Sequence, residues 1–331
     1  MEEPLVSLII TNYNGLKHIK GCLDSIYNLN YNNIEVIFVD DCSTDKSIDY
    51  VKTNYKDIKI IQNKKNLGFS GSNSLAATYA NGKYLGFLNI DIVLDQNWLT
   101  ELVKVAELSP EYGFVVGKHY YYHDKLLINF AGSCTDKYMS SRHIGRDRRD
   151  NKIYNTKNVT FYACFAAVLM RKSVYNKIGL FEPLYYIYSE DLDVSWRTWL
   201  AGYKVIYVPT SIMYHKEGQI MGNTSPRKKF WIERNKFRTI LKNYQLKTLV
   251  KILPLFTFRR FGSILKKTLK LDKSAAVFAV VFIKSYMWNL LHLRSMIKNR
   301  KFIKSIRKRD DKFIFKLMKK TIYIENLGKK E

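Results

Sequence analysis

Several things are scarce or missing in this chain of 331 residues. Its four cysteines (Cys22, Cys42, Cys134, Cys164) lie far apart and form no metal-type pair, so a reduced compartment is the simple reading. No Gly-x-Gly-x-x-Gly follows the first apolar run and no Walker loop occurs, which counts against dinucleotide and P-loop sites. The start Met1-Glu2-Glu3-Pro4 has neither a basic n-region nor an apolar h-region, so no secretory signal is expected and a cytoplasmic protein is. No apolar run reaches the roughly twenty residues of a membrane span. Acidic residues thin out in the last third: from Pro226 to Glu331 there are 30 Lys+Arg against 6 Asp+Glu, leaving 25 basic and 23 acidic residues before it. The net charge of +26 thus sits almost wholly in the tail, which would seek polyanions, either nucleic acid or an anionic membrane face. No nucleic-acid motif is present and the aromatics are not spaced as in an RNA-binding sheet, so no nucleic-acid partner is expected.

What is present begins with alternation. At 47% hydrophobic and 25% charged the chain is globular in character. Leu5 to Ile10, Ile34 to Val39 and Ile58 to Ile61 read as buried strands. Between them Leu16, Ile19, Leu23 and Ile26, then Ile48, Val51 and Tyr55, recur at helical spacing, with Ser43 or Thr44 as the expected cap of the second helix. Leu75, Ala76, Tyr79 and Ala80 mark a third helix before Tyr84 to Leu88, a fourth strand. Strands and helices joined by short links predict right-handed βαβ units and a mostly parallel sheet. Every strand ends in a polar loop, so those loops gather along one edge, where open α/β sheets bind ligands. On that edge Asn89 and Asp91, two apart, can point the same way, and Asp40 and Asp91 together suit a nucleotide and a divalent cation. Thr11 and Asn12 also fit as turn residues, and Asp41 and Asp45 as helix starters.

Four segments, Val6 to Asn14, Val39 to Asp45, Asn66-Leu67-Gly68-Phe69 and Leu88-Asn89-Ile90-Asp91, resemble a family 2 inverting glycosyltransferase of the GT-A fold, closest to the rhamnosyltransferase-like branch. The resemblance covers roughly residues 5 to 220. It implies a GT-A catalytic unit over 1–225, with a nucleotide-sugar half (1–93) and an acceptor half (94–225), and a basic helical extension over 226–331. It implies that Thr11, Tyr13 and Asp40 contact the nucleobase and ribose of a sugar nucleotide, UDP- or dTDP-linked. Gly68, Asn73 and Asn89 would lie along the donor, and Asp91 would bind a Mg2+ or Mn2+ ion on the diphosphate. Asn89 departs from the family's usual Asp, which bears on the affinity for metal and the choice of metal.

In the middle, Trp98 to Ala106 reads as a helix, Val115 to Arg149 as irregular, and Phe161 to Met170 as a strand. Tyr120, Tyr121, Tyr122 and Tyr138 suit either stacking on sugars or covering the sheet. Glu190, Asp191 and Asp193 crowd within four positions after Ser189, a possible helix cap. The same pattern resembles the family's Glu-Asp motif, which implies Asp191, or else Glu190, as the base that deprotonates the acceptor hydroxyl of a glycan or lipid-linked sugar. Asp193 and Arg197 sit at i and i+4 and are expected to pair. His215, after the last strand, is either structural or, as the resemblance implies, a metal ligand.

In the tail, Arg234 and Asn235 resemble a family pair near a helix that folds back over the donor. Ala275 to Ile283 is nine apolar residues followed by Lys284. The preferred reading is an amphipathic helix in the interface of an anionic membrane, with Tyr286 and Trp288 at headgroup level. A true span and a solvated basic bundle are the alternatives. Lys298 to Lys320 reads as polar enough to fray. The expected whole is a transferase attached to the inner face of the cell membrane; its rival is a nucleotide-binding scaffold without turnover, or a basic-tailed nucleic-acid binder.

Overall fold

The computed structural model describes residues 3–216, 225–272 and 274–327. In chain order its elements are β1 (Val6–Asn12), α1 (Leu16–Tyr27), β2 (Ile34–Asp40), α2 (Ser47–Asn54), β3 (Lys59–Gln62), α3 (Gly68–Ala76), β4 (Tyr84–Asn89), β5 (Ile92–Leu94), α4 (Trp98–Glu107) and β6 (Tyr112–Tyr121). There follow β7 (Leu127–Phe130), β8 (Ser133–Cys134), β9 (Arg142–His143), β10 (Arg148–Arg149), β11 (Asn158–Val159), β12 (Ala167–Arg171), α5 (Lys172–Ile178), α6 (Glu190–Leu200) and β13 (Lys204–His215). Five helices close the chain: α7 (Pro226–Asn243), α8 (Leu246–Leu269), α9 (Ala275–Leu291), α10 (Leu293–Ile306) and α11 (Asp311–Leu327).

The main sheet runs β10-β7-β6-β12-β4-β1-β2-β3, with β13 joining β6 and carrying β5 and β11. Pairs β1–β2, β1–β4, β2–β3 and β6–β13 are parallel, and β12 runs antiparallel between β4 and β6. Strand side chains alternate between faces, and this builds two cores. Leu8, Ile10 and Phe38 bury against Ile19, Leu23 and Trp98 from α1 and α4. Ile9, Ile37 and Phe87 face the other way, into the core that holds Trp196 of α6 and Phe237 and Ile240 of α7. The extension therefore continues the second core past position 225.

Local expectations fared unevenly. The second helix starts at Ser47 with no side-chain cap from Ser43 or Thr44; Asp45 instead accepts the amides of Ser47 and Leu16 at 3.1 Å each, tying two helix starts to one carboxylate. Ser189 does precede α6, but it adopts φ 64° and its hydroxyl caps nothing. Val115 to Arg149, expected to be irregular, contains most of β6, whose buried Lys118 and His119 hide its strand character in the sequence. Tyr120 and Tyr121 cover the sheet, bonded to Asp150 and Asp147, while Tyr122 stays exposed. Residues 298–320 do not fray: α10 and α11 occupy most of them, with Ile303, Ile306 and Ile314 in the core.

The α9 expectation is corrected in its details. Tyr286 stacks on Phe237 with ring centroids 3.9 Å apart and packs against the core, away from headgroup level, while Trp288 stacks on His292 and stays part-exposed. The outward side chains are instead Ile283, Met287, Leu290 and Leu291. Among the described residues no single helix is long and apolar enough to cross a membrane; α9 and α10 together suffice by length and composition but are bent by 71°.

Candidate active site

Register brings the polar strand ends level. Thr11 pairs with Asn89, and Asn12 with Asp40, across neighbouring parallel strands. Asn12 donates from Nδ2 to Asp40 Oδ1 at 2.8 Å, and the Ser43 amide donates to Asp40 Oδ2 at 2.9 Å. Asp40 is therefore a buried, fixed acceptor whose remaining lone pairs are unused. Thr11 Oγ1 is buried without a partner, while Tyr13 stands 47% exposed beside it in sequence. An orphaned hydroxyl is costly unless something external completes it, so this corner has the chemistry of an unfilled polar subsite.

Asp41 does a different job. Its Oδ1 accepts from Leu67 N at 2.7 Å and from Asn63 Nδ2 at 2.9 Å, and its Oδ2 from Gly68 N at 2.8 Å, which anchors the start of α3. Gly68 has φ +70°, and a Cβ there would come within 2.6 Å of the Tyr186 carbonyl oxygen. Only glycine fits such a close approach without strain. Asn73, expected along the donor, is 1% exposed and donates to Phe69 O inside its own helix, with its Oδ1 unpartnered.

Asp91 lies in the turn between β4 and β5, and β13 ends opposite it because His215 pairs with Ile92. His215 Nε2 comes 3.5 Å from Asp91 Oδ1, and His215 Nδ1 lies 3.3 Å from Asn129 Oδ1. Burial alone would raise Asp91, but the hydrogen bond and charge of His215 outweigh it and hold the carboxyl below its usual range. His18 of α1, which drew no notice in the sequence, is buried with Nε2 unpartnered and lies within electrostatic reach of Asp91; burial lowers its pKa. Among the described residues no cluster of three or more His, Cys, Asp or Glu side chains could hold a metal. Asp91 and His215 do offer one carboxylate oxygen and one imidazole nitrogen, donor types that would suit a divalent cation.

Glu190 and Asp191 open α6. Glu190 is buried, with Oε2 unpartnered, and its pKa is pushed well up by burial first and by the charge of Asp191 second. Asp191 keeps part of its surface at solvent and accepts from Leu192 N at 2.7 Å; burial raises it to about 6. Both acids are thus pushed upward by burial, and Asp191 is the member that solvent and an acceptor can reach. The loop leading to them carries three non-glycine residues with left-handed backbone, Tyr186, Tyr188 and Ser189, a conformation that survives only when its surroundings impose it.

Those surroundings come from α7. Asn235 Nδ2 donates to the carbonyls of Tyr185, Ile187 and Tyr188 at 2.9, 2.9 and 2.7 Å, and Arg234 to those of Leu184 and Tyr185. Thr239 bonds the Tyr185 hydroxyl at 2.7 Å. Arg238 and Lys242 pair with Glu182, and Lys242 and Asn243 bond Asp193 at 2.9 and 2.8 Å. Positions 234, 235, 238, 239, 242 and 243 share one helical face, so a single polar stripe grips the whole segment from Glu182 to Asp193.

With this geometry in place, comparison with known proteins is decisive for the family. The sequence profile described as "Glycosyl transferase family 2" matches residues 7–179, more than half of the chain. The chain belongs to glycosyl transferase family 2. It is 27% identical over 325 residues to an uncharacterized glycosyltransferase of Haemophilus influenzae, covering 92% of this chain and 98% of that one. It is 26% identical to the glycosyltransferase GlyA of Streptococcus pneumoniae, over 64% of this chain but only 30% of GlyA. Among solved structures, Staphylococcus aureus TarS 1–349 in complex with UDP-GlcNAc superposes with TM-score 0.56 at 19% identity, covering 91% and 90% of the two chains. GalNAc-T7 with UDP, GalNAc and Mn2+ gives 0.60 at 17% identity, covering 72% of this chain and 48% of that one. These likenesses establish the GT-A fold, the mostly parallel sheet and the class of enzyme.

The matched family region stops before α6, so this glycosyltransferase's acid pair stands on its own geometry. The fold brings Thr11, Asp40 and Asn89 to one edge and Asp91 to His215; it leaves Asn73 enclosed. Asn12, Ser43, Asn129 and Glu182 gain roles as supports that the sequence alone did not assign to them. For Asn12 a signal existed, since it closes the first strand inside a recognised motif. For Asn129 and Glu182 none did.

Proposed function

We propose that this glycosyltransferase moves a sugar from a nucleoside-diphosphate donor, UDP- or dTDP-linked, to a hydroxyl of a glycan or lipid-linked acceptor, with inversion at the anomeric carbon, as in the rhamnosyltransferase-like branch. The observation that carries this reading is the acid pair at the start of α6: a buried Glu190 with Oε2 unpartnered beside a part-exposed Asp191 that burial raises to about 6. A carboxylate tuned near the working pH suits a general base. Asp191 takes the acceptor proton as the hydroxyl attacks the face opposite the departing nucleotide. Thr11, Tyr13 and Asp40 hold the nucleoside, and Gly68 lets the loop at Tyr186 close on it. Asp91 and His215 would hold a divalent cation, whose contribution when bound is to neutralise the diphosphate. That Mn2+ accompanies the sugar nucleotide or its product in GalNAc-T7 and in the Pyrobaculum calidifontis mannosyltransferase PcManGT supports the choice of cation.

The reading also places the enzyme on the inner, anionic face of the membrane. Among the described residues, fifteen of the 24 exposed large apolar side chains fall between Leu246 and Ile297, on α8, its link to α9, α9 and the start of α10. Phe258, Leu265 and Leu269 on α8 are 59–76% exposed, in a segment rich in Lys and Arg. Apolar side chains flanked by cations are what an anionic bilayer interface accepts.

Thermal unfolding with UDP, dTDP, GDP or CDP, each with Mn2+, Mg2+ or EDTA, tests the donor half. A nucleotide at 100 times its Kd adds about 2.7 kcal/mol. Stabilisation by one nucleotide, dependent on metal and lost in His215→Ala, supports the site; no response to any nucleotide refutes it. NMR of the product anomer tests inversion.

A further inference from the structure

Between the first turns of α7 and the first half of α9 lies a groove of about 560 Å3, within the roughly 300–1,000 Å3 of small-molecule pockets. Its walls are apolar, from Pro226, Phe230, Val277 and Val280, and among the described residues the two charged ones that line it, Arg227 and Lys284, are both cations. It shares Val280, 49% exposed, with the apolar face of α9 that continues through Ile283 and Met287. Its other end adjoins the catalytic loop. The Arg227 guanidinium lies 4.8 Å from the centroid of the Trp231 ring, whose own neighbours are Tyr186 at 5.1 Å and Tyr188 at 6.4 Å. Tyr188 is followed in the chain by Ser189 and then the acid pair itself. One layer of aromatic rings therefore separates the groove from the acid pair.

We propose that this groove seats the hydrocarbon chain of a lipid phosphate that carries the acceptor sugar, with Arg227 and Lys284 on the phosphate. This rests on the function proposed above and narrows its acceptor to the lipid-linked class. A soluble glycan has no use for an apolar groove with cationic walls, and an uncharged lipid has none for the cations. The open continuity with the exposed face of α9 gives the chain a route from a bilayer into the groove. The phosphate at Arg227 then leaves the attached sugar directed past Trp231 toward Asp191.

The probe is geranyl phosphate, a soluble short-chain isoprenoid phosphate, titrated into the intact protein with tryptophan fluorescence as readout. Geraniol, inorganic phosphate and anionic phospholipid vesicles are run as separate arms, and UDP with Mn2+ in parallel. Geranyl phosphate is expected to bind saturably, at least about ten-fold tighter than geraniol or phosphate alone. Val280→Glu and Lys284→Glu, both on exposed positions, are each expected to weaken it about ten-fold while leaving the unfolding midpoint and the nucleotide response unchanged. Equal binding of geraniol or of phosphate overturns the proposal. So does Val280→Glu losing vesicle binding with geranyl phosphate binding intact, which would make the surface a bilayer contact only. A missing nucleotide response instead fails the donor reading and leaves the groove result legible by itself.

Discussion

Two carboxylates two positions apart on α6 face two different regions and behave oppositely. Asp193, on the side gripped by α7, is enclosed by Arg197 at 3.1 Å, Lys242 at 2.9 Å and Asn243 at 2.8 Å. Burial would raise it, but the charges of Lys242 and Arg197 win and hold it down at about 2. Asp191, part-exposed, is raised to about 6 by burial with no cation among the causes. Both share the first turn of the same helix, so the helix dipole favours both anions alike. The contrast shows that neighbouring cations, rather than burial or helix position, separate the carboxylate locked in the scaffold from the one proposed as the base.

The most damaging break is Asp191→Asn, expected to lower kcat by about 10³-fold, within the usual contribution of a general base, while UDP affinity by calorimetry stays put. Unchanged turnover would move the base to Glu190 or elsewhere. On the other side, Lys242→Met leaves Glu182 and Asp193 buried without their shared cation. Removing one member of a buried ion pair costs about 3–5 kcal/mol, read from urea unfolding; a loss below 1 kcal/mol would mean the network is slack. Asn235→Ala strips three loop carbonyls of one donor, at about 1–3 kcal/mol. Its sharper signature is a fall in kcat of about ten-fold with KM for donor unchanged, because the left-handed loop before Asp191 relaxes.

The smallest effect is in pH. Turnover should rise as pH passes through about 6, as Asp191 ionises, and that inflection should vanish in Asp191→Asn. Stability runs by sign. Asp193, depressed, contributes above its unfolded value of about 3.9, and that contribution is lost as pH falls toward about 2. Asp191, raised, does the reverse: ionising it between about 4 and 6 costs stability, so Asp191→Asn flattens that part of the curve. Urea midpoints between pH 3 and 8 separate the two.

Much of this was legible because it is local. The continuous apolar runs of β1, β2 and β4, each cut by a polar loop, announce buried parallel strands, and Asp40, Asn89 and Asp91 fall at their ends by period alone. The Asp193–Arg197 pair follows from helical spacing. What was illegible depends on partners far away in the chain. β6 reads as irregular because its Lys118 is neutralised by Asp150, and Lys118 also donates to Asn155, contacts no window of sequence contains. Tyr286 and Trp288 look like interface anchors on an isolated α9, but α7 supplies Phe237 and Arg234 to pack on them.

By itself, then, the amino-acid order determined the alternation of strands and helices, the edge where polar loops collect and the charge divide at the tail, since periodicity and composition act over a few residues. Only the tertiary structure decided which of three neighbouring acids is locked in a salt bridge and which two are raised by burial. Those outcomes depend on cations and burial brought in from α7, some fifty positions away, and free energies of that kind exist only once the chain has folded.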